Sequence, residues 1–121
     1  MTTAMARLEA LVARLPETRR VDVEEWGDHP TFRVRDKTFV FSSSDATSLT
    51  VKLSRDEAEA VVATRDGAGP AGYGLGRHGW VNIAIPAAPT DGEWAEIAEW
   101  VETSYRLVAP KRLVKLLDGP A

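Results

Sequence analysis

Apolar residues recur along this chain with two different periods, and the switches between them mark out its elements. Met5, Leu8, Leu11, Val12 and Leu15 are spaced by three and four, the stripe of an amphipathic helix. Pro16 ends it, because the residue before a proline avoids the helical region. A period of two then takes over. Val21 and Val23 alternate with Asp22 and Glu24, and Phe32 and Val34 alternate with Thr31, Arg33 and Arg35. Residues 38–41 and the alternating Leu49, Val51 and Leu53 continue the pattern, with Gly27 to Pro30, Asp36-Lys37 and Ser42 to Asp45 as turns. Ser54 and Glu57 read as a capping box opening a second helix, with Ala58, Val61 and Val62 turned inward. Residues 67–79 hold six glycines and Pro70 and read as a loop. Val81, Ile83 and Ile85 then share one face of a strand. Thr90 and Glu93 form a second box, and Trp94, Ile97, Ala98, Val101, Tyr105 and Val108 stripe a third helix that Pro110 breaks. A short helix through Leu113, Val114, Leu116 and Leu117 closes the series.

Short turns between successive strands require antiparallel pairing. The expected architecture is α+β, a two-layer sandwich with an antiparallel sheet of four to five strands packed against helices. No repeat or linker divides the chain, so residues 1–121 are read as one domain.

Composition narrows the chemistry. The chain has no cysteine, which removes disulfides, thiolate metal sites and cysteine nucleophiles. No apolar run is long enough to span a membrane, and the first residues lack the pattern of a signal peptide, so a cytoplasmic location without a membrane partner is expected. The net charge of −3 is unevenly spread: residues 54–102 carry 9 acidic and 3 basic groups, whereas residues 103–121 carry 4 basic and 1 acidic. A general nucleic-acid binder is usually basic overall, so any such surface here has to be local.

Gly67, Gly69 and Gly72 match G-x-G-x-x-G, but a helix precedes them and a strand follows, the reverse of a dinucleotide site. His29 and His78 sit in separate turns with no helical spacing between them, so no metal and no cofactor is expected. Ser104 has no base within reach of a nucleophile's role, and Tyr105 belongs to the helix stripe, so no catalytic residue is assigned. Glu93, Glu96, Glu99 and Glu102 recur every three residues, which drifts around a helix and reads as a solvated acidic face. Four tryptophans are many for this length, and Trp80 or Trp100 is expected to be partly exposed. Arg33, Arg35 and Lys37 flank one hairpin, Lys52 shares their polar-face parity, and Arg106, Lys111, Arg112 and Lys115 crowd the C-terminus. If hairpin and C-terminus lie together, these eight cations form a patch able to grip phosphate.

An ordered set of residues also carries a resemblance. Residues 27–34, then Phe39, Tyr73, residues 79–81 and Ser104 to Val108 together resemble the YjbR/MmcQ-like family of small bacterial domains. The resemblance implies a two-layer α/β sandwich similar to secretion chaperones. It also implies a DNA-binding role, a label that rests on analogy of fold.

Three readings of different classes follow. The first is a non-enzymatic module that binds DNA through the basic hairpin and C-terminal helix. The second is a protein- or peptide-interaction domain. The third is a small-ligand binder using the glycine loop with His29, Tyr73, Trp80 and Tyr105 in a groove. The clustered cations and the family label favour the first.

Overall fold

The helix starts follow from single side chains. In the computed structural model, which describes residues 3–24, 29–72 and 75–118, Thr3 caps α1 (Ala4–Ala13) by accepting from the amide of Ala6. Thr90 and Glu93 form a complete capping box ahead of α3 (Asp91–Val108). The box expected before α2 (Arg55–Thr64) is only half made. Ser54 accepts from the amide of Glu57, but the glutamate accepts from the serine hydroxyl rather than from the cap's own amide. Pro110 both ends α3 and opens α4 (Lys111–Leu117).

The strands are β1 (Thr18–Val23), β2 (His29–Val34), β3 (Lys37–Ser42), β4 (Ser48–Lys52), β5 (Ala68–Pro70) and β6 (Trp80–Ala84). They form one antiparallel sheet in the order β1-β2-β3-β4-β6-β5. Among the described residues the count is six, above the four to five expected, because part of the glycine loop pairs with β6. Gly69 lies opposite Asn82, and a single 3-10 turn (Leu75–His78) links the two strands. Ala68 and Pro70 carry little strand propensity; a sheet edge is where a proline is tolerated. Gly79 at φ 88° seals this corner. A side chain there would meet the Leu53 carbonyl oxygen at 2.2 Å.

Phe32, Val40, Val51 and Val81 stand side by side across β2, β3, β4 and β6 and are fully buried. They define the inner face of the sheet. All four helices add to the same core, through Leu8 and Val12, Ala58, Trp94 to Tyr105, and Leu113. Trp100 belongs to it as well, at 8% exposure, with the Arg65 guanidinium 4.9 Å over its ring. Trp80 or Trp100 is expected to be partly exposed, and Trp80 is the half-buried one.

Candidate binding surface

Side chains alternate along a strand, so the buried row fixes what the other face carries. His29, Thr31, Arg33, Phe41, Thr50, Lys52, Trp80 and Asn82 all have outward parity, although Thr31 is itself fully buried. Among the described residues no helix lies on this face. Its centre is polar and ordered. The Thr50 hydroxyl lies 2.5 Å from the Asn82 amide oxygen, and the Thr31 hydroxyl donates to the Val21 carbonyl at 2.6 Å. Trp80 meets the Phe41 ring edge to face, centroids 5.6 Å apart. Arg33 donates its Nε to the Thr31 hydroxyl at 3.3 Å, and Lys52 lies opposite Trp80. Neither Arg33 nor Lys52 makes an ion pair with a described carboxylate.

The remaining basic residues divide. Arg35 and Arg112 reach the two carboxylate oxygens of Glu17, at 3.3 and 3.9 Å, so the β2–β3 hairpin and the start of α4 do lie together. The acid between them neutralises part of that charge. Arg106 is held by Asp118 at 3.0 Å and Glu102 at 3.6 Å; bonding to Asp118, against some desolvation, raises its already high pKa. Lys37, Lys111 and Lys115 are exposed and make no described ion pair. The eight cations therefore divide: Arg33 and Lys52 form a sheet-face pair, Arg35 and Arg112 share Glu17, Arg106 is held by Asp118 and Glu102, and Lys37, Lys111 and Lys115 stand at the surface.

Ser104 and Tyr105, beside Arg106, are architectural. β3 carries a bulge: Phe32 pairs with Val40 and Arg33 with Thr38, so Phe39 is the extra residue. The Ser104 hydroxyl fills the gap this leaves. It donates to the Phe39 carbonyl at 2.5 Å and accepts from the Lys52 amide at 2.9 Å, inserting one side chain into the β3–β4 ladder. The Tyr105 ring packs edge on against Phe39, and its hydroxyl donates to the Pro16 carbonyl at 2.7 Å. Burial, with the Glu17 charge adding, pushes its pKa above the ordinary tyrosine value; Arg35 opposes the shift. The fully buried Tyr105 thus belongs to the core and lines no groove.

The other residues of the expected ligand groove do not converge either. Tyr73 lies outside the described residues. His29 is on β2 and Trp80 on β6, with β3 and β4 between them and four residues of offset along the strands, so they lie about 20 Å apart at ~4.8 Å per strand and ~3.3 Å per residue. His78 is exposed in the 3-10 turn, and His29 sits within a strand rather than in the turn expected. Among the described residues no three His, Cys, Asp or Glu side chains are grouped to hold a metal. In the helical layer, Glu93 completes its capping box, Glu96 pairs with Arg65 at 2.5 Å and Glu102 with Arg106, while Glu99 is exposed.

The sequence signals for the cations and for Trp80 were visible. Thr50 and Asn82 were not, since their pairing depends on a strand contact 32 residues apart.

A family model described as YjbR matches residues 13–107. No curated protein matches the chain. Among solved structures, the crystal structure of the Deinococcus radiodurans protein DR2400, with its DUF419 domain, is similar at TM-score 0.72 and 19% identity, over 98% of this chain and 91% of that one. At that identity the likeness concerns the fold alone.

Proposed function

The chain belongs to the YjbR family, and from that premise we propose that it is a non-enzymatic module that binds single-stranded nucleic acid on the outer face of its sheet. One observation carries the reading: charge is segregated between the outer sheet face and helices α2 and α3. α2 and α3 hold eight acidic residues against the bases Arg55 and Arg106. The outward positions named above hold Arg33 and Lys52 and no carboxylate.

Arg33 and Lys52 are two strands apart, about 10 Å at ~4.8 Å per strand. In this reading they grip phosphates of an extended strand, and the half-buried Trp80 beside Lys52 meets a base. Thr50 and Asn82 supply hydrogen-bonding groups between them. The acidic α2 and α3 behind the sheet keep the overall field unfavourable, so binding depends on these few contacts and on salt. The occupied hydroxyl of Ser104 supports binding rather than catalysis, because both of its hydrogen-bonding directions are taken by backbone.

Fluorescence anisotropy of a labelled single-stranded oligonucleotide, titrated at several salt concentrations, tests the reading. Affinity should fall steeply with salt, with a slope matching about two to four phosphates at ~0.7 per phosphate. Absence of binding at low salt, or a preference for duplex, would overturn it.

A further inference from the structure

We propose that β1 is a self-pairing edge through which two copies of the chain join in one continuous antiparallel sheet. The two edges of the sheet differ. β5 has three residues and ends in a proline, which blunts it. β1 has six residues, and no described strand lies beyond it.

The direction of the β1 backbone groups follows from its partner strand. Asp22 lies opposite Pro30, which has no N–H, so this is a non-hydrogen-bonded pair. The Arg35 amide donates to the Glu17 carbonyl at 3.3 Å, continuing the same alternation at the other end. The odd-numbered residues therefore bond to β2. Thr18, Arg20 and Asp22 point their N–H and C=O groups away from the sheet.

A two-fold axis through Val21 uses exactly those groups. It sets Arg20 opposite Asp22 of the second copy, and Asp22 opposite its Arg20, in two hydrogen-bonded pairs with about four main-chain bonds. It also sets opposite charges face to face. Moving the axis by one residue faces Arg20 with Arg20 or Asp22 with Asp22. Charges on an edge strand ordinarily prevent self-pairing; here their order selects a single register. Both side chains are exposed and already bonded to each other within the chain at 2.8 Å, with Glu9 also on Arg20. Pairing lets each guanidinium bridge two aspartates. The axis is perpendicular to the sheet, so the helical layers stay on one side and the outer faces merge. The inference is independent of the nucleic-acid reading, since its test uses no ligand.

The chain has no cysteine, so Val21→Cys introduces a single thiol at the non-hydrogen-bonded centre of the pairing. There the Cα atoms approach to about 4.5 Å, within disulfide reach. Under mild oxidation V21C should become a covalent dimer at least about tenfold faster than Thr64→Cys, an exposed site at the end of α2. In sedimentation over a concentration series the wild type should dimerise. Arg20→Asp and Asp22→Arg should each weaken association about tenfold or more, and the double swap R20D/D22R should restore it. Circular dichroism checks that each variant is folded. A wild type that stays monomeric, V21C cross-linking no faster than T64C, or single swaps without effect would each overturn the proposal.

Discussion

Two regions of this protein present similar side chains to an observer of the sequence, and the fold gives them opposite roles. The run Ser104-Tyr105-Arg106 has a hydroxyl, a phenol and a guanidinium in a row. Each is bound inside the molecule, to Phe39 and Lys52, to Pro16, and to Asp118 and Glu102. On the outer face Arg33 and Lys52 are cations without a described acidic partner. A polar group whose bonding capacity is used within the chain holds the chain together. A cation with no described acidic partner is available to something else. The contrast sorts candidates better than residue type does.

The sharpest way to break the contrast is Ser104→Ala. It strips partners from the Phe39 carbonyl and the Lys52 amide together, and each unsatisfied buried group costs about 1–3 kcal/mol. Denaturant unfolding should show a loss of about 2–5 kcal/mol, with oligonucleotide affinity of the folded protein unchanged. A loss below about 1 kcal/mol would mean that the ladder closes without the hydroxyl.

On the other side, Trp80→Ala should weaken oligonucleotide binding by about 1–3 kcal/mol, the range for one stacked base. The same anisotropy titration measures it, and unchanged affinity would remove the aromatic from the surface.

Tyr105→Phe deletes one hydrogen bond and should cost about 1 kcal/mol. It carries a pH signature as well. The pKa of this phenol is raised in the folded state, so the folded protein keeps the proton that the unfolded chain gives up. That contribution is complete below about pH 10 and is lost as pH climbs through the raised value. Wild-type stability should therefore fall above pH ~10 more steeply than that of the Tyr105→Phe variant; parallel curves would contradict the assignment. The smallest effect belongs to Arg35→Ala, which removes an exposed ion pair with Glu17 and should shift stability by no more than about 1 kcal/mol.

Much of the fold was legible in the sequence because its elements obey local rules. The alternation around Val21, Phe32, Leu49 and Val81, the stripe from Trp94 to Tyr105 and the cap at Thr90 each act over a few residues. What escaped depends on distance along the chain. β5 exists because Gly69 meets Asn82, not because Ala68, Gly69 and Pro70 favour a strand. The bulge at Phe39 hides in the apolar run Phe39-Val40-Phe41, where period two is lost. Ser104 reaches partners 65 and 52 residues away, so nothing near it reveals its part in the sheet. At the site, the cations were readable, whereas their division by Glu17 required the hairpin and α4 to be placed side by side.

The most direct measurement compares two charge reversals of equal size on different surfaces. Arg33→Glu with Lys52→Glu alters the sheet face; Lys111→Glu with Lys115→Glu alters α4. Both pairs leave the core untouched, and both are titrated with the same single-stranded oligonucleotide across salt. The account predicts that the sheet-face pair lowers affinity by about 100-fold or more and reduces the salt slope by about 1–2, while the α4 pair changes affinity by less than about fivefold. Equal losses from both pairs, or retained binding after reversal of Arg33 and Lys52, would contradict it.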